Sequence, residues 1–454
     1  MRLYQNWLRD HRGIEFGSYD ALWRWSVSDL EAFWQSIWDY HGMRSPTPHA
    51  GVLAERRMPG AVWFPGAQVN YAREVLRHVD AAHAAGCTAI VSDNEQGIVR
   101  EMSWPELRRQ VASAALALQS LGVRRGDRVA AYLPNVPETM VAFLACASIG
   151  AVWSVCAPDM GTAAVVDRFR QIEPKVLIAV DGVHYGGRPL DRGATVRDLR
   201  AALPSVQKLL LLRTAFCSVP VVDADLDWSD AIARDDAAVG SFEPEWLPFD
   251  HPVWIVYSSG TTGLPKPIVH GHGGIILTMY ACGLHNDVGA SYGDNNRGER
   301  FHWYSSTGWV MWNCQLAGLA FGSTIVIYDG NPAGSKERTD WSVLWRFVAR
   351  HGITFFGAGA AYFANCMKAG LSAADCGDLS RLRALGSTGS PLSEEVQRWG
   401  SALVRESRRQ ASAGQGVDPA AFGDVWWCNI SGGTDFCGAF VGGNRELPEV
   451  PGQM

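Results

Sequence analysis

Ten consecutive residues, Tyr257-Ser-Ser-Gly-Thr-Thr-Gly-Leu-Pro-Lys266, hold four aliphatic hydroxyls, two glycines and a lysine directly after the apolar run Val253–Val256. Glycines let a loop bend tightly and bring backbone N–H groups close to an anion. Hydroxyls donate further hydrogen bonds to phosphate oxygens, and a lysine adds a compact positive charge. A polyphosphate, above all that of ATP, suits such a loop. Ser258, Ser259, Gly260, Thr261, Thr262 and Gly263 are the candidate phosphate cradle, with Lys266 as the neutralising charge. The spacing is not that of a P-loop, which needs four residues between its first Gly and a Gly-Lys-Ser/Thr triplet. Pro265 and Pro267 also flank the lysine, so no helix starts there. The competing reading is a polar surface loop after a buried strand.

Three further segments could contribute chemistry. Ser306-Thr-Gly-Trp-Val-Met-Trp-Asn313 places a glycine between hydroxyls and two tryptophans. It reads either as a bend presenting Trp309, Val310 and Met311 to a small pocket or as ordinary core packing. Gly386-Ser-Thr-Gly-Ser-Pro391 follows the apolar run Leu382–Leu385, and a glycine-rich turn after a strand is where α/β sheets hold nucleotides. Val425-Trp-Trp-Cys-Asn-Ile-Ser-Gly-Gly-Thr-Asp435 runs from an apolar strand into a hydroxyl and a carboxylate. Thr434 and Asp435 are hard oxygen ligands that suit Mg²⁺ beside phosphate, or else a capped tight turn. The ten cysteines include no Cys-x-x-Cys pair and no zinc spacing, so buried reduced thiols and no structural metal are expected.

The elements that must position these segments alternate. Strands are expected at 89–91, 128–133, 151–155, 175–180, 208–212, 254–257, 323–328 and 353–356. Helices are expected from Ser103-Trp-Pro-Glu106 to Gly122, over 137–149 and over 340–351. Apolar strands separated by helices imply parallel pairing with right-handed crossovers. A helical pattern over 22–40 has Ser28 as its candidate N-cap, 44–80 reads as an extended connection, and 407–420 reads as a surface loop. Five tryptophans, Trp7, Trp23, Trp25, Trp34 and Trp38, are expected to anchor an irregular N-terminal segment to the main body. The 454 residues are 47% hydrophobic and 19% charged with net charge -6, which favours a globular chain and gives no basic surface for nucleic acid. No apolar run reaches bilayer length and no signal-peptide core is visible, so no membrane partner and a cytoplasmic location are the expectation.

In this order the segments resemble the adenylate-forming enzyme superfamily of acyl-CoA synthetases, luciferases and adenylation domains. The resemblance covers nearly all of 25–454. It implies the large N-terminal domain of that α/β fold: repeated strand–helix units, mostly parallel sheets flanked by helices, and a smaller β-rich part. It implies residues 1–80 as an N-terminal wrapping segment and 81–454 as the AMP-binding core. It further implies that Ser258–Lys266 holds the ATP phosphates, that Gly389, Ser390 and Pro391 line the adenine site, and that Thr434 and Asp435 meet the α-phosphate and Mg²⁺. The superfamily usually has Glu where Asp435 stands. Coenzyme A would be the second substrate, with His184 and Arg188 of Asp181-Gly-Val-His-Tyr-Gly-Gly-Arg188 as candidate contacts, a plain surface turn being the alternative.

Trp23–Trp38, Met58–Ala67, Ala157–Gly161, Thr307–Asn313 and Ile430–Asp435 resemble the acetoacetyl-CoA synthetases. Acetyl-CoA synthetases carry a Trp two residues before the Thr of the hydroxyl–acid pair, where this chain has Gly432. Loss of an indole leaves room for a longer acid, which with Trp309, Val310 and Met311 fits acetoacetate as the small carboxylate partner. The implied reaction forms an acyl-adenylate and then a thioester, an acid–thiol ligation; a ligase for another short acid and a non-catalytic binding fragment are the alternatives. The sequence stops at Met454. The resemblance implies that a C-terminal lid domain with its catalytic lysine is absent, so the chain alone is expected to bind its substrates weakly with little adenylation.

Overall fold

The computed structural model describes residues 1–221, 223–258, 263–289, 298–413 and 423–454. Strands such as Val176–Val180, apolar at every position, are buried on both faces. They assemble into two large sheets. The first has seven strands in the order Leu226–Asp227, Lys208–Leu212, Val176–Val180, Arg128–Tyr132, Val152–Cys156, Pro252–Ser258, Lys266–Gly271. The second has eight, in the order Gly438–Gly442, Trp426–Gly433, Ala384–Thr388, Phe355–Gly359, Arg300–Trp303, Thr324–Asp329, Thr88–Asn94, Arg100–Ser103. Pairing is parallel except at three outer pairs, which are antiparallel: 252–258 with 266–271, 426–433 with 438–442, and 88–94 with 100–103. Three two-stranded sheets are also present among the described residues.

The helix Pro137–Ser148 has every residue but Glu138 buried, as expected of a helix apolar all round. Its Phe143 ring lies 6.1 Å from Trp153 and 5.7 Å from Trp254 of the first sheet, and 6.3 Å from Trp312 of the helix Val310–Ala320. The helix Trp104–Ser120 starts where its sequence says it should. Ser103 Oγ accepts from Glu106 N at 3.3 Å, while the Glu106 carboxylate turns to Arg109 and Gln110.

Four expectations are corrected. The 22–40 pattern is two helices, Tyr19–Ser28 and Leu30–Tyr40. Ser28 ends the first, and Asp29 caps the second by accepting from Ala32 N at 3.1 Å. The stretch 44–80 is extended only as far as residue 70; helices Tyr71–Leu76 and Val79–Ala84 follow, the first capped by Asn70. Residues 407–412 belong to the helix Glu394–Ser412, because Leu403, Val404, Ser407 and Arg408 form a buried stripe despite the polar composition; 414–422 lie outside the described residues. The N-terminal segment is helical, with Trp38 buried and Trp7, Trp25 and Trp34 half-buried, but Trp23 is 50% exposed. Trp38 stacks on Phe64 at 4.9 Å, and Phe64 on Phe249 at 5.1 Å. Among the described residues no helix is long and apolar enough to cross a membrane.

Candidate active site

The phosphate-loop candidate is the connection of an antiparallel hairpin at the edge of the first sheet. Ser258 is the last residue of one strand and pairs in register with Lys266, the first of the other. The chain therefore passes from strand to strand and not into a helix, which distinguishes it from a P-loop. Lys266 is exposed, and Pro267 falls on the edge strand, where a missing N–H costs no central ladder bond. Gly263 has φ +107°, a conformation closed to other residues. Ser259, Gly260, Thr261 and Thr262 lie outside the described residues.

Thr434 and Asp435 occupy the turn of the outermost hairpin of the second sheet, between Trp426–Gly433 and Gly438–Gly442. His270, four residues beyond Lys266, joins the two sheet edges: its Nε2 lies 3.0 Å from the Thr434 carbonyl oxygen. A carbonyl only accepts, so Nε2 carries the hydrogen. Burial lowers the His270 pKa, against the Thr434 carbonyl and the Asp435 charge, which raise it. Asp435 is exposed and makes no hydrogen bond or ion pair among the described residues. An unengaged carboxylate beside a hydroxyl is a donor set that fits a hard divalent cation shared with phosphate. No group of three or more His, Cys, Asp or Glu that could hold a metal by protein ligands alone occurs among the described residues.

The glycine-rich segment divides differently from its sequence reading. Gly386–Thr388 complete the strand, and the turn begins at Gly389, with φ +88°. Gly389, Ser390 and Pro391 are exposed at the C-terminal end of that strand, where open α/β sheets place ligands. A Cβ at Gly389 would lie 3.9 Å from the Trp309 ring, and Thr388 Oγ1 donates to the Ile430 carbonyl at 2.8 Å. The adenine candidate, the acid-pocket candidate and the strand leading to Thr434 are thus neighbours.

Of the acid-pocket candidates, Trp309 precedes the helix Val310–Ala320 as its N-cap, and it and Val310 are half-buried. Met311 is buried in an apolar cluster with Trp303, Phe355 and Trp426. A Cβ on Gly432 would meet the Gly438 carbonyl oxygen at 2.1 Å and Ala439 Cα at 3.2 Å, beside an irregularity in the hairpin register. The direction a side chain would take is filled by backbone, so this glycine answers first to the hairpin.

His184 and Arg188 sit on the hairpin of Gly182–Tyr185 and Arg188–Asp191. His184 Nδ1 lies 3.0 Å from Glu95 Oε2, whereas Arg188 is exposed. His184 lines a cavity with Tyr304, Ser306, Thr307 and Asp329. Sequence reasoning missed Glu95 and Asp329. Glu95 accepts the N–H groups of Gly186, Gly187 and Asn331 at 2.7, 2.9 and 2.6 Å, tying this hairpin to the loop after Thr324–Asp329. Burial first, then the charges of Glu95 and Glu138, push the Asp329 carboxyl up to about 7. The only sequence signal for either was an acid at the end of an apolar strand.

Residues 77–413 match the AMP-binding enzyme family, and residues 19–75 match the acetyl-coenzyme A synthetase N-terminus. The chain belongs to the AMP-binding enzymes. Within this adenylate-forming superfamily it is 36% identical over 460 residues to acetoacetyl-coenzyme A synthetase of Rhizobium meliloti (strain 1021), covering 100% of this chain and 65% of the relative. It is 32% identical over 457 residues to malonamoyl-CoA synthetase of Penicillium aethiopicum, covering 94% and 59%. The solved acetoacetyl-CoA synthetase from Streptomyces lividans superposes with TM-score 0.86 at 44% identity, covering 98% of this chain and 64% of that one. The chain thus spans a little under two thirds of the length of these relatives. The family's α/β fold, with its mostly parallel sheets flanked by helices, is the one observed.

Proposed function

We propose that this chain is the nucleotide- and acid-binding part of an AMP-forming acid–thiol ligase whose acid is acetoacetate. Residues 1–80 are the wrapping segment and 81–454 the core. The acid's carboxylate attacks the α-phosphorus of ATP, pyrophosphate leaves, and the thiol of coenzyme A displaces AMP from the acyl-adenylate. The first step brings two anions together, so charge neutralisation and positioning dominate. Ser258, Gly263 and Lys266, with the residues between them, hold the triphosphate. Thr434 donates to the α-phosphate, and Gly389–Pro391 with Trp309 bound the adenine and acid sites. Mg²⁺ held beside Asp435 would neutralise phosphate charge. His184 and Arg188 face the coenzyme A end.

The observation that carries this reading is the His270–Thr434 contact at 3.0 Å, which brings the hydroxyl–acid turn of one sheet to the phosphate hairpin of the other. The acid is inferred from whole-chain similarity to acetoacetyl-CoA synthetases. The fungal relative supports a second acid of the same shape, malonamate, which also has a carbonyl at its third carbon. Calorimetry with a non-hydrolysable ATP analogue and Mg²⁺, followed by acetate, acetoacetate, malonamate and butyrate, tests both. Acetoacetate is expected to bind at least about tenfold tighter than acetate, the discrimination a pocket gains from a longer chain. Equal binding of acetate overturns the acid; failure to bind the nucleotide overturns the whole reading.

A further inference from the structure

Asn313 closes the segment Ser306–Asn313 that also carries the acid-pocket candidates. It is only 3% exposed, yet its side-chain amide makes no hydrogen bond among the described residues. The other four buried asparagines there all make one. Asn70 Nδ2 donates to the carbonyls of Ala147 and Glu245 at 2.8 and 2.9 Å. Asn135 Oδ1 accepts from Trp312 Nε1 at 3.1 Å, Asn429 Nδ2 donates to Gln397 Oε1 at 3.3 Å, and Asn444 Oδ1 accepts from Glu446 N at 2.9 Å. A buried amide left unpaired is destabilising, and native proteins rarely keep one. Nor is Asn313 walled in. Packing seals off the unpartnered Asn429 Oδ1 and Asn444 Nδ2, but neither amide atom of Asn313. The Asn313 amide therefore borders open space.

Helix geometry says which space that is. The Cα–Cβ bonds of an α-helix tilt toward its N-terminus, and residues three and four apart share a face. Asn313 ends the first turn of the helix Val310–Ala320, three residues after Val310 and four after Trp309. Its side chain therefore lies over those two, at a helix N-terminus that Trp309 caps without a side-chain hydrogen bond. The wall there is apolar, since Trp309 and Val310 pack on the cluster of Phe301, Trp303 and Met311. Against it, the Asn313 amide is an unpaired polar group with two N–H donors on Nδ2 and one acceptor on Oδ1. A carbonyl at the third carbon of a short acid only accepts, and it matches those donors. Resting on the function proposed above, we infer that Asn313 is the specificity residue of the acid pocket, its Nδ2 donating to that carbonyl oxygen. Acetoacetate and malonamate present such an oxygen; butyrate, of the same length as acetoacetate, has a methylene there.

The test is calorimetry of acetoacetate against butyrate, with Mg²⁺ and the non-hydrolysable ATP analogue present, on the unaltered chain, Asn313→Leu and Asn313→Ala. The unaltered chain is expected to bind acetoacetate at least about fivefold tighter than butyrate, the worth of one hydrogen bond to a buried donor. Leucine matches asparagine in size without a donor. It is expected to weaken acetoacetate about tenfold and to bind butyrate at least as well as the parent, so that the preference disappears. Its melting temperature is expected to equal or exceed the parent's, because an unpaired buried amide has been removed. Asn313→Ala, which removes the amide without filling its place, is expected to lose the preference in the same way. Retention of the preference by both variants overturns the inference, as does a parent that binds the two acids equally. Parallel weakening of both acids with a lowered melting temperature marks a structural asparagine and overturns it too. Failure of the parent to bind the nucleotide analogue, or equal binding of acetate and acetoacetate, would instead remove the functional reading beneath it.

Discussion

Gly432 shows how a single missing side chain acquires two explanations. Read along the chain, its smallness opens an acid pocket. In space, a Cβ at that position collides with the Gly438 carbonyl oxygen at 2.1 Å, and backbone cannot rotate aside as a side chain would. Gly432→Ala is therefore expected to shift the hairpin that carries Thr434 and Asp435. The cost is about 1–3 kcal/mol, the range for overpacking a fitted site, visible as a lowered urea midpoint. A variant as stable as the parent would show that the hairpin has slack and would return the pocket explanation to first place. The cysteines give a simpler case. Cys428 and Cys437, on either side of the Thr434–Asp435 turn, are buried, and burial raises both thiol pKa values, so they pack as apolar residues and not as nucleophiles.

Elements are where local rules worked best, and their failures have identifiable causes. Ser103, with Pro105 behind it, starts the helix Trp104–Ser120 as the capping rule requires. Ser103→Ala removes the acceptor for Glu106 N and is expected to cost about 1 kcal/mol of stability. An unchanged denaturation midpoint would mean that burial of Trp104, Leu107 and Val111 fixes that end without help. Elsewhere a rival cap or a partner won. Asp29 out-competes Ser28 because the chain turns between two helices there. Gly386, which reads as the opening of a loop, instead makes room for the Trp303 ring within a strand. A Cβ there would lie 2.5 Å from the indole, and one at Gly357 on the neighbouring strand 2.2 Å.

At the scale of the whole molecule, the two sheets end in antiparallel hairpins, and the chemistry candidates collect where those hairpins meet. The same packing encloses titratable groups. Burial lowers the pKa of His41, His272 and His302 to about 3 and that of His78 to about 4. Each is neutral when folded, whereas the unfolded chain takes up its protons below about pH 6.5. Their stabilisation is full above that pH and is lost as pH falls toward the folded values. Asp329, raised to about 7, and Glu74, also raised, act in the opposite sense, since their folded forms keep protons that the unfolded chain releases. His270 and His285 are lowered as well and Asp181 is raised, so six groups outweigh three, and each histidine held neutral costs up to about 1.4 kcal/mol per pH unit between pH 6 and 5. Set against a typical total of about 5–15 kcal/mol, that predicts a markedly lower urea midpoint at pH 5 than at pH 7. An equal or higher midpoint at pH 5 would contradict it.

Sequence by itself determined the parts whose physics is local. Consecutive hydroxyls, glycines and a lysine mark a candidate anion loop, and unbroken apolar runs between capped helices mark buried parallel strands. The α/β class, most strand positions and the candidate phosphate segment were legible for that reason, whereas the adenine and hydroxyl–acid roles came from the resemblance of whole motifs to a family. Tertiary structure decided everything that depends on which distant segments touch. It placed His270 against Thr434, 164 residues on, and Glu95 against the 182–191 hairpin. It put backbone where Gly432 seemed to leave space. Such contacts join residues with no common periodicity or motif, and the free energy that selects them comes from packing the whole chain at once.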